Sequence, residues 1–214
     1  MLADLPLFSN LDRDELEALS AHAVTRTFRK NTIVINEGDV GDSIYVVLSG
    51  QLKVFLSDDE GKEIVINMMG PEEYFGELSL FDDSRRSASV MTTEPTQLSI
   101  ISKADFDAVL VRHPAIAHHV IKGLISRLRM STENVRSLAL MDVYGRVARL
   151  LLQLAEEVDG KRVVKEKLTQ QDIADRVGSS REMISRILKD LKIGNYIEVH
   201  DKQITINENL PPHW

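Results

Sequence analysis

The chain has 214 residues, 43% of them apolar, and a formal net charge of −7, so it can build one or two hydrophobic cores. It has no charged-then-apolar leader and no apolar run long enough to span a membrane, so neither secretion nor membrane insertion is expected, and a cytoplasmic home fits. With no cysteine, disulfides, cysteine-held iron–sulfur clusters and cysteine zinc sites are excluded.

The acidity is uneven. Residues 137–214 carry 12 Lys+Arg against 12 Asp+Glu, whereas residues 1–136 carry 14 against 21. The overall charge therefore does not exclude a nucleic-acid partner for the C-terminal part.

In chain order, Asn10 or Asp12 before Arg13–His22 predicts a capped cover helix with Leu11, Leu16 and Leu19 on its apolar side. From Thr25 to Ser102 short alternating β-branched and aromatic runs are punctuated by turns at Glu37-Gly38-Asp39, Ser49-Gly50, Asp58 to Gly61 and Gly70-Pro71. Strands at this frequency predict a sandwich or barrel. A short helix is expected over Asp105–Val111, and Pro114 opens a long one that runs to Asp142.

Along that long helix Ala117, Ile121, Leu124, Leu128, Ser131, Val135 and Leu138 recur in steps of four and three, the seam of a coiled coil. At 1.5 Å per residue the helix is roughly 40 Å long, more than a small domain needs, so pairing with a second copy is expected. Ser131 and Thr132 put hydroxyls where leucine would otherwise be buried, a choice kept for register or for something bound there. Asp142 is placed to cap a further helix, Val143–Glu157, whose Leu150, Leu151 and Leu154 found a second core, so the domain boundary, and with it a hinge, is expected at Asp142.

Two stretches carry chemistry. In Gly76-Glu77-Leu78-Ser79-Leu80-Phe81 with Arg86-Ser87-Ala88, a glycine opens a helical turn and exposes backbone N–H groups. Arg86 offers a bidentate fork and Ser87 a hydroxyl, together an anion cradle suited to a phosphate. Glu77 would repel a phosphate unless it accepts from a neutral donor, for which a ribose hydroxyl is the natural choice. Arg85 is the competing phosphate ligand.

The second stretch is Thr169 to Lys192. Thr169 with Asp172 makes a capping-box start, Ile173, Ala174 and Val177 face inward, and Gly178 supplies a tight turn. A second helix begins at Ser180, with Ile184, Ile187, Leu188 and Leu191 on its apolar face and Arg181, Glu182, Ser185, Arg186 and Lys189 on another. That pattern predicts a DNA-binding helix-turn-helix, with Tyr196–Val199 and Ile204–Ile206 around Asp201-Lys202 closing as a hairpin wing.

Glu37-Gly38-Asp39, Gly41-Asp42, Gly50, Gly76-Glu77-Leu78 and Arg86-Ser87-Ala88, followed by the long helix, resemble the cyclic-nucleotide-binding domain of the cyclic-AMP receptor protein family of bacterial transcription regulators. The resemblance runs through essentially the whole chain. It implies an α+β fold with an N-terminal cyclic-nucleotide-binding β-roll (1–113), a dimerisation helix (114–141) and a C-terminal winged helix-turn-helix (142–214).

Carried over by position, the resemblance gives Glu77 to the ribose 2′-hydroxyl and Arg86 and Ser87 to the cyclic phosphate, with the backbone of Gly76 and Ala88 assisting and Leu78 also in the ligand set. Val54 and Ile66 wall the base, Ser131 and Thr132 face it, one from each subunit, and Arg127 stands above the site, able to answer Glu77. The family's Thr-Ser order is reversed here. Ser180-Arg181-Glu182 and Arg186 match its base-reading positions, and Thr169, Ser185 and Lys189 complete the DNA-facing set.

The implied function is a homodimeric regulator switched by cyclic AMP, acting on palindromic double-stranded DNA and meeting RNA polymerase. Alternatives are a regulator of the same fold that answers cyclic di-GMP or needs no ligand, and a nucleotide-binding module that controls a partner protein. His118 and His119 point about 100° apart on a helix and make no metal face. Asp82-Asp83 reads as a solvated loop, and no nucleophile–base or paired-carboxylate set indicates an enzyme. Haem-based gas sensing is not expected from a chain that cannot supply all the ligands its relatives use.

Overall fold

A computed structural model describes residues 23–158, 160–207 and 210. The expected cover helix at Arg13–His22 lies outside the described residues. The chain forms an N-terminal β-rich part, a long helix and a C-terminal helix-turn-helix part with its own sheet.

Among the described residues eight strands build the N-terminal part: β1 (Val24–Phe28), β2 (Ile33–Ile35), β3 (Ser43–Ser49), β4 (Leu52–Ser57), β5 (Glu63–Met69), β6 (Tyr74–Phe75), β7 (Ser89–Thr92) and β8 (Thr96–Ser102). They form two four-stranded sheets, ordered β1-β8-β3-β6 and β2-β7-β4-β5. Strand β3 shows why the roll has two cores, because alternate side chains of a strand point to opposite faces. Val47 joins Leu52, Phe75, Val90 and Leu98 in one cluster. Ile44 and Val46 meet Leu80, Ile101, Phe106, Ile116 and Val120 in another, under the helices.

Three helices follow the roll's strands or interrupt them: α1 (Leu78–Phe81), α2 (Lys103–Arg112) and α3 (Pro114–Leu140). Helix α2 starts two residues before the expected Asp105, because the Ser102 side chain accepts from the Asp105 N–H and caps it. Helix α3 keeps its early turns on the roll. Tyr74 donates from its hydroxyl to the Val120 carbonyl at 3.2 Å, and a Cβ at Gly123 would lie 2.2 Å from that hydroxyl. A mid-helix glycine costs about 1 kcal/mol relative to alanine; here it opens the space that Tyr74 enters.

By contact density the described residues form two compact units, 23–56 with 66–129, and 57–65 with those from 130 onward. In the second, α4 (Val143–Leu154) is capped by Asp142, whose Oδ1 accepts from the Gly145 N–H at 2.7 Å. The expected helix to Glu157 stops at Leu154. Ala155–Val158 is instead strand β9, paired antiparallel with β10 (Lys161–Val164) across a turn at Gly160, which has φ +75°. A hairpin at that glycine gives these residues ladder partners that a further helical turn would forgo.

Helices α5 (Gln170–Val177) and α6 (Arg181–Ile193) come next, then strands β11 (Ile197–His200) and β12 (Gln203–Ile206), completing a sheet ordered β11-β12-β10-β9. The turn between the last two strands has positive φ at both Asp201 and Lys202, 48° and 65°, the backbone sense of a type I′ hairpin turn. Tyr144, Val147, Leu151, Ile173, Ile184, Leu188, Leu191, Ile197 and Ile204 share one core. No helix of the described residues is long and apolar enough to cross a membrane.

Candidate ligand cradle and DNA interface

The cradle is built around a buried arginine. Gly76 takes φ +85°, a conformation open to glycine at little cost, and turns the chain from β6 into α1. A side chain there would collide with Arg86, since its Cβ would stand 2.6 Å from Arg86 Nη1. Arg86 is only 6% exposed. Its Nη1 donates to the Gly76 carbonyl at 2.6 Å and to Ser79 Oγ at 2.9 Å, and Nη2 donates to the Ser43 carbonyl at 2.8 Å. The guanidinium carbon lies 5.7 Å from the centre of the Tyr45 ring, which stacks on Phe75.

Glu77 is 2% exposed, and its Oε1 accepts from Arg127 Nη1 at 2.6 Å. Arg127 also donates to the Tyr74 carbonyl, and its guanidinium carbon lies 4.8 Å from the Tyr74 ring centre. Burial pushes the Tyr74 phenol above its ordinary pKa, with Arg127 pulling it down and Glu77 pushing it up. A carboxylate this buried is tolerable because a charge-assisted hydrogen bond answers it.

Of the other expected ligand positions, Leu78 and Ser87 are exposed, Ala88 half-buried, and Val54 on β4 and Ile66 on β5 half-buried. Ser131 and Thr132 are exposed on α3. The competing Arg85 is not part of the cradle. It is exposed, pairs with Val40 through backbone, and spends Nη1 on the Gly38 carbonyl at 2.8 Å.

Along α3, Ile121, Leu128, Val135 and Leu138 are exposed, at 52%, 68%, 65% and 43%. Ala117 is half-buried. Leu124 departs from the regular seam, since it packs against the roll's own core beside Val120.

The DNA-facing part rests on local rules. Thr169 and Asp172 complete a capping box: Thr169 N–H donates to Asp172 Oδ2 at 2.7 Å, and Asp172 N–H to Thr169 Oγ1 at 3.1 Å. Gly178, φ +65°, ends α5, and the Ser180 hydroxyl accepts from the Met183 N–H to start α6. Arg146 fixes the turn from behind, donating Nε to the Val177 carbonyl at 2.8 Å and Nη1 to the Met141 carbonyl at 2.9 Å. Arg181, Glu182, Arg186 and Lys189 are exposed; Ser185 is half-buried, with Gln170 Nε2 3.4 Å from its Oγ.

A cleft of about 820 Å³ opens beside this helix, lined by Arg181 and Lys189 and also by Gln170, Gln171, Lys192 and Lys202. Sequence reasoning missed these last four. The signals available were the two glutamines beside the capping threonine and a lysine at the tip of the predicted wing. In the roll it missed Ser43, Tyr45, Tyr74 and Ser79, which carry no pattern of their own.

With this geometry in hand, comparison with known proteins is specific. The model of the cyclic nucleotide-binding domain matches residues 25–113, and that of the Crp-like helix-turn-helix domain matches residues 145–208. A CRP-like cAMP-activated global transcriptional regulator of Mycobacterium tuberculosis is 31% identical over 213 residues, 98% of this chain and 95% of the relative. A cAMP-activated global transcriptional regulator of Haemophilus influenzae is 33% identical over 198 residues, covering 89% and 87%. Among solved structures, the c-di-GMP-responsive global regulator CLP of Xanthomonas campestris matches with a TM-score of 0.82 at 26% identity, covering 92% of this chain and 100% of that one.

Proposed function

The chain belongs to the cyclic-AMP receptor protein family of DNA-binding transcription regulators, and from that premise we propose that it works as a homodimer whose hold on palindromic DNA is set by cyclic AMP. The observation that carries the ligand reading is a buried cation and a buried anion on one short stretch, Arg86 at 6% and Glu77 at 2% exposure. Arg86 suits a cyclic phosphate and Glu77 a ribose hydroxyl. A nucleoside cyclic phosphate offers both at once. Leu78, Ser87 and Ala88 border the phosphate, Val54 and Ile66 the base, and Ser131 and Thr132 supply hydroxyls to it from the paired helices.

The exposed seam of α3, with Ala117 and Leu124 at its roll-ward end, joins the two copies. Ligand binding favours one of two arrangements about Asp142, and that arrangement sets the two α6 helices about 34 Å apart, one turn of DNA. Thr169, Ser180, Arg181, Glu182, Ser185, Arg186 and Lys189 face the duplex. The divisions 1–113, 114–141 and 142–214 serve ligand binding, dimerisation and DNA binding, with RNA polymerase as further partner in the cytoplasm.

Titration calorimetry with cyclic AMP, cyclic GMP and cyclic di-GMP, on the unsubstituted protein and on Arg86→Leu, tests the ligand. Saturable cyclic AMP binding that Arg86→Leu abolishes is expected. Equal binding by both proteins would sink the pocket. A second reading, cyclic di-GMP as the effector, is favoured by the likeness to the Xanthomonas regulator, and tighter binding of that ligand would establish it.

A further inference from the structure

One buried hydroxyl in the roll has no part in the reading above. Ser79, in the first turn of α1, is 3% exposed. Its Oγ accepts from Arg86 Nη1 at 2.9 Å and donates to the Gly76 carbonyl at 3.3 Å. With the Gly76 and Ser43 carbonyls it makes three acceptors that hold both terminal nitrogens of the guanidinium. The Nε–H and one Nη2 hydrogen are left with no acceptor among the described residues. An arginine's Nε–H and the neighbouring Nη2 hydrogen can together meet two oxygens of one phosphate.

The room for this hydroxyl is also built. A Cβ at Gly41 would stand 2.0 Å from Ser79 Oγ and 2.9 Å from Arg86 Cζ. Gly41 has no positive φ to explain it. Its lack of a side chain therefore serves the close approach of Ser79 and Arg86.

We infer that Ser79 is a positioning residue for the anion: its hydroxyl fixes the plane of the Arg86 guanidinium, and Gly41 leaves the space it occupies. This rests on the reading of Arg86 as the phosphate ligand. An arginine already held loses less rotamer freedom when the ligand arrives, so the hydroxyl acts on affinity through Arg86 without touching the ligand. Were Ser79 only filling space, a methyl group would do as well.

The test uses the full chain. Ser79→Ala should weaken cyclic AMP binding about tenfold, the scale of one hydrogen bond to a charged group. In the ligand-free protein, nitrogen-15 spectra should show separate Arg86 Nη signals that merge in Ser79→Ala as the guanidinium gains rotation. Gly41→Ala should unfold easily or bind poorly. Adding Ser79→Gly to it relieves the clash with Ser79 but leaves the new Cβ 2.9 Å from Arg86 Cζ, so thermal stability should recover only in part while affinity stays at least about tenfold low.

Unsubstituted affinity in Ser79→Ala, or weaker affinity with unchanged Arg86 signals, overturns the inference. Should the unsubstituted protein bind no cyclic nucleotide, the pocket reading fails by itself. The ligand-free spectra then still decide whether Ser79 sets the guanidinium.

Discussion

The roll and the recognition helix use the same side chain in opposite ways. Arg86 is buried and held by Gly76, Ser79 and Ser43, the last 43 positions away in sequence. Arg181 and Arg186 are exposed on a helix whose start and approach are fixed by Ser180 and Gly178. The difference is what the two proposed partners would require. A small ligand is enclosed and gains most from donors aimed in advance. DNA is a wide polyanion that draws exposed cations and can order them on contact.

The largest effect should come from breaking the buried side of this comparison. Arg127→Ala leaves the Glu77 carboxylate, 2% exposed, without its partner. Stripping one member from a buried ion pair costs about 3–5 kcal/mol, and because Arg127 is 26% exposed the lower end is expected. Urea unfolding of the 23–56 and 66–129 unit should show it, with amide exchange in α5 and α6 unchanged. Arg127→Ala combined with Glu77→Gln should recover most of the loss. If it does not, Arg127 acts through Tyr74 and not through charge.

On the exposed side the folded state should hardly notice a lost arginine. Arg181→Ala and Arg186→Ala should each weaken specific DNA binding by about 1–3 kcal/mol and relax preference at one guanine, because arginine donates a fork to guanine O6 and N7. Thermal unfolding should be unchanged within error. A drop in stability comparable to that of Arg127→Ala would erase the contrast between the two regions.

That contrast also decides what could be read from the sequence. The capping box at Thr169, the glycine turn at Gly178, the period of Ile184, Ile187, Leu188 and Leu191, and the Asp142 cap are all local, and the structure has them where spacing puts them. The sequence carries α4 too far, to Glu157, because Leu154 to Glu157 continues a helical pattern, while the pull toward strand comes from β10, on the far side of Gly160. In the roll, Gly76 and Arg86 stand out by residue type, and family resemblance marks them. What makes them a site does not stand out. Ser79, Ser43, Tyr45 and Gly41 meet Arg86 through folding alone, and Gly123 looks like a flaw in a helix until Tyr74 is seen entering beside it.

A smaller effect should separate helix start from DNA contact. Thr169 is exposed and belongs to the proposed DNA-facing set, yet its Oγ1 lies in the capping box with Asp172. Thr169→Ala should lower stability by about 1 kcal/mol through the lost cap. Thr169→Asn keeps a capping oxygen and removes the hydroxyl. If DNA affinity falls in Thr169→Ala and returns in Thr169→Asn, Thr169 acts by placing α5, whereas loss in both points to direct contact of the hydroxyl with the duplex.

The smallest change in affinity should come from Glu182, and it is the most informative about reading. Glu182 is exposed in the first turn of α6, where a carboxylate is favoured by the helix dipole. Against DNA it can only accept, most naturally from cytosine N4, while the phosphates on either side repel it. The gain of one hydrogen bond and the cost of that repulsion oppose each other, so Glu182→Ala should alter overall affinity by less than about 0.5 kcal/mol. Discrimination is a difference between sites, and the repulsion is common to all of them, so it cancels there. Binding-site selection on the unsubstituted protein and on Glu182→Ala should therefore recover motifs that differ at one base pair, with the substituted protein indifferent at that position. Identical motifs would leave Glu182 with its favourable charge at the helix start as its role, and would leave the reading of the site to the other expected positions, Ser180, Arg181 and Arg186.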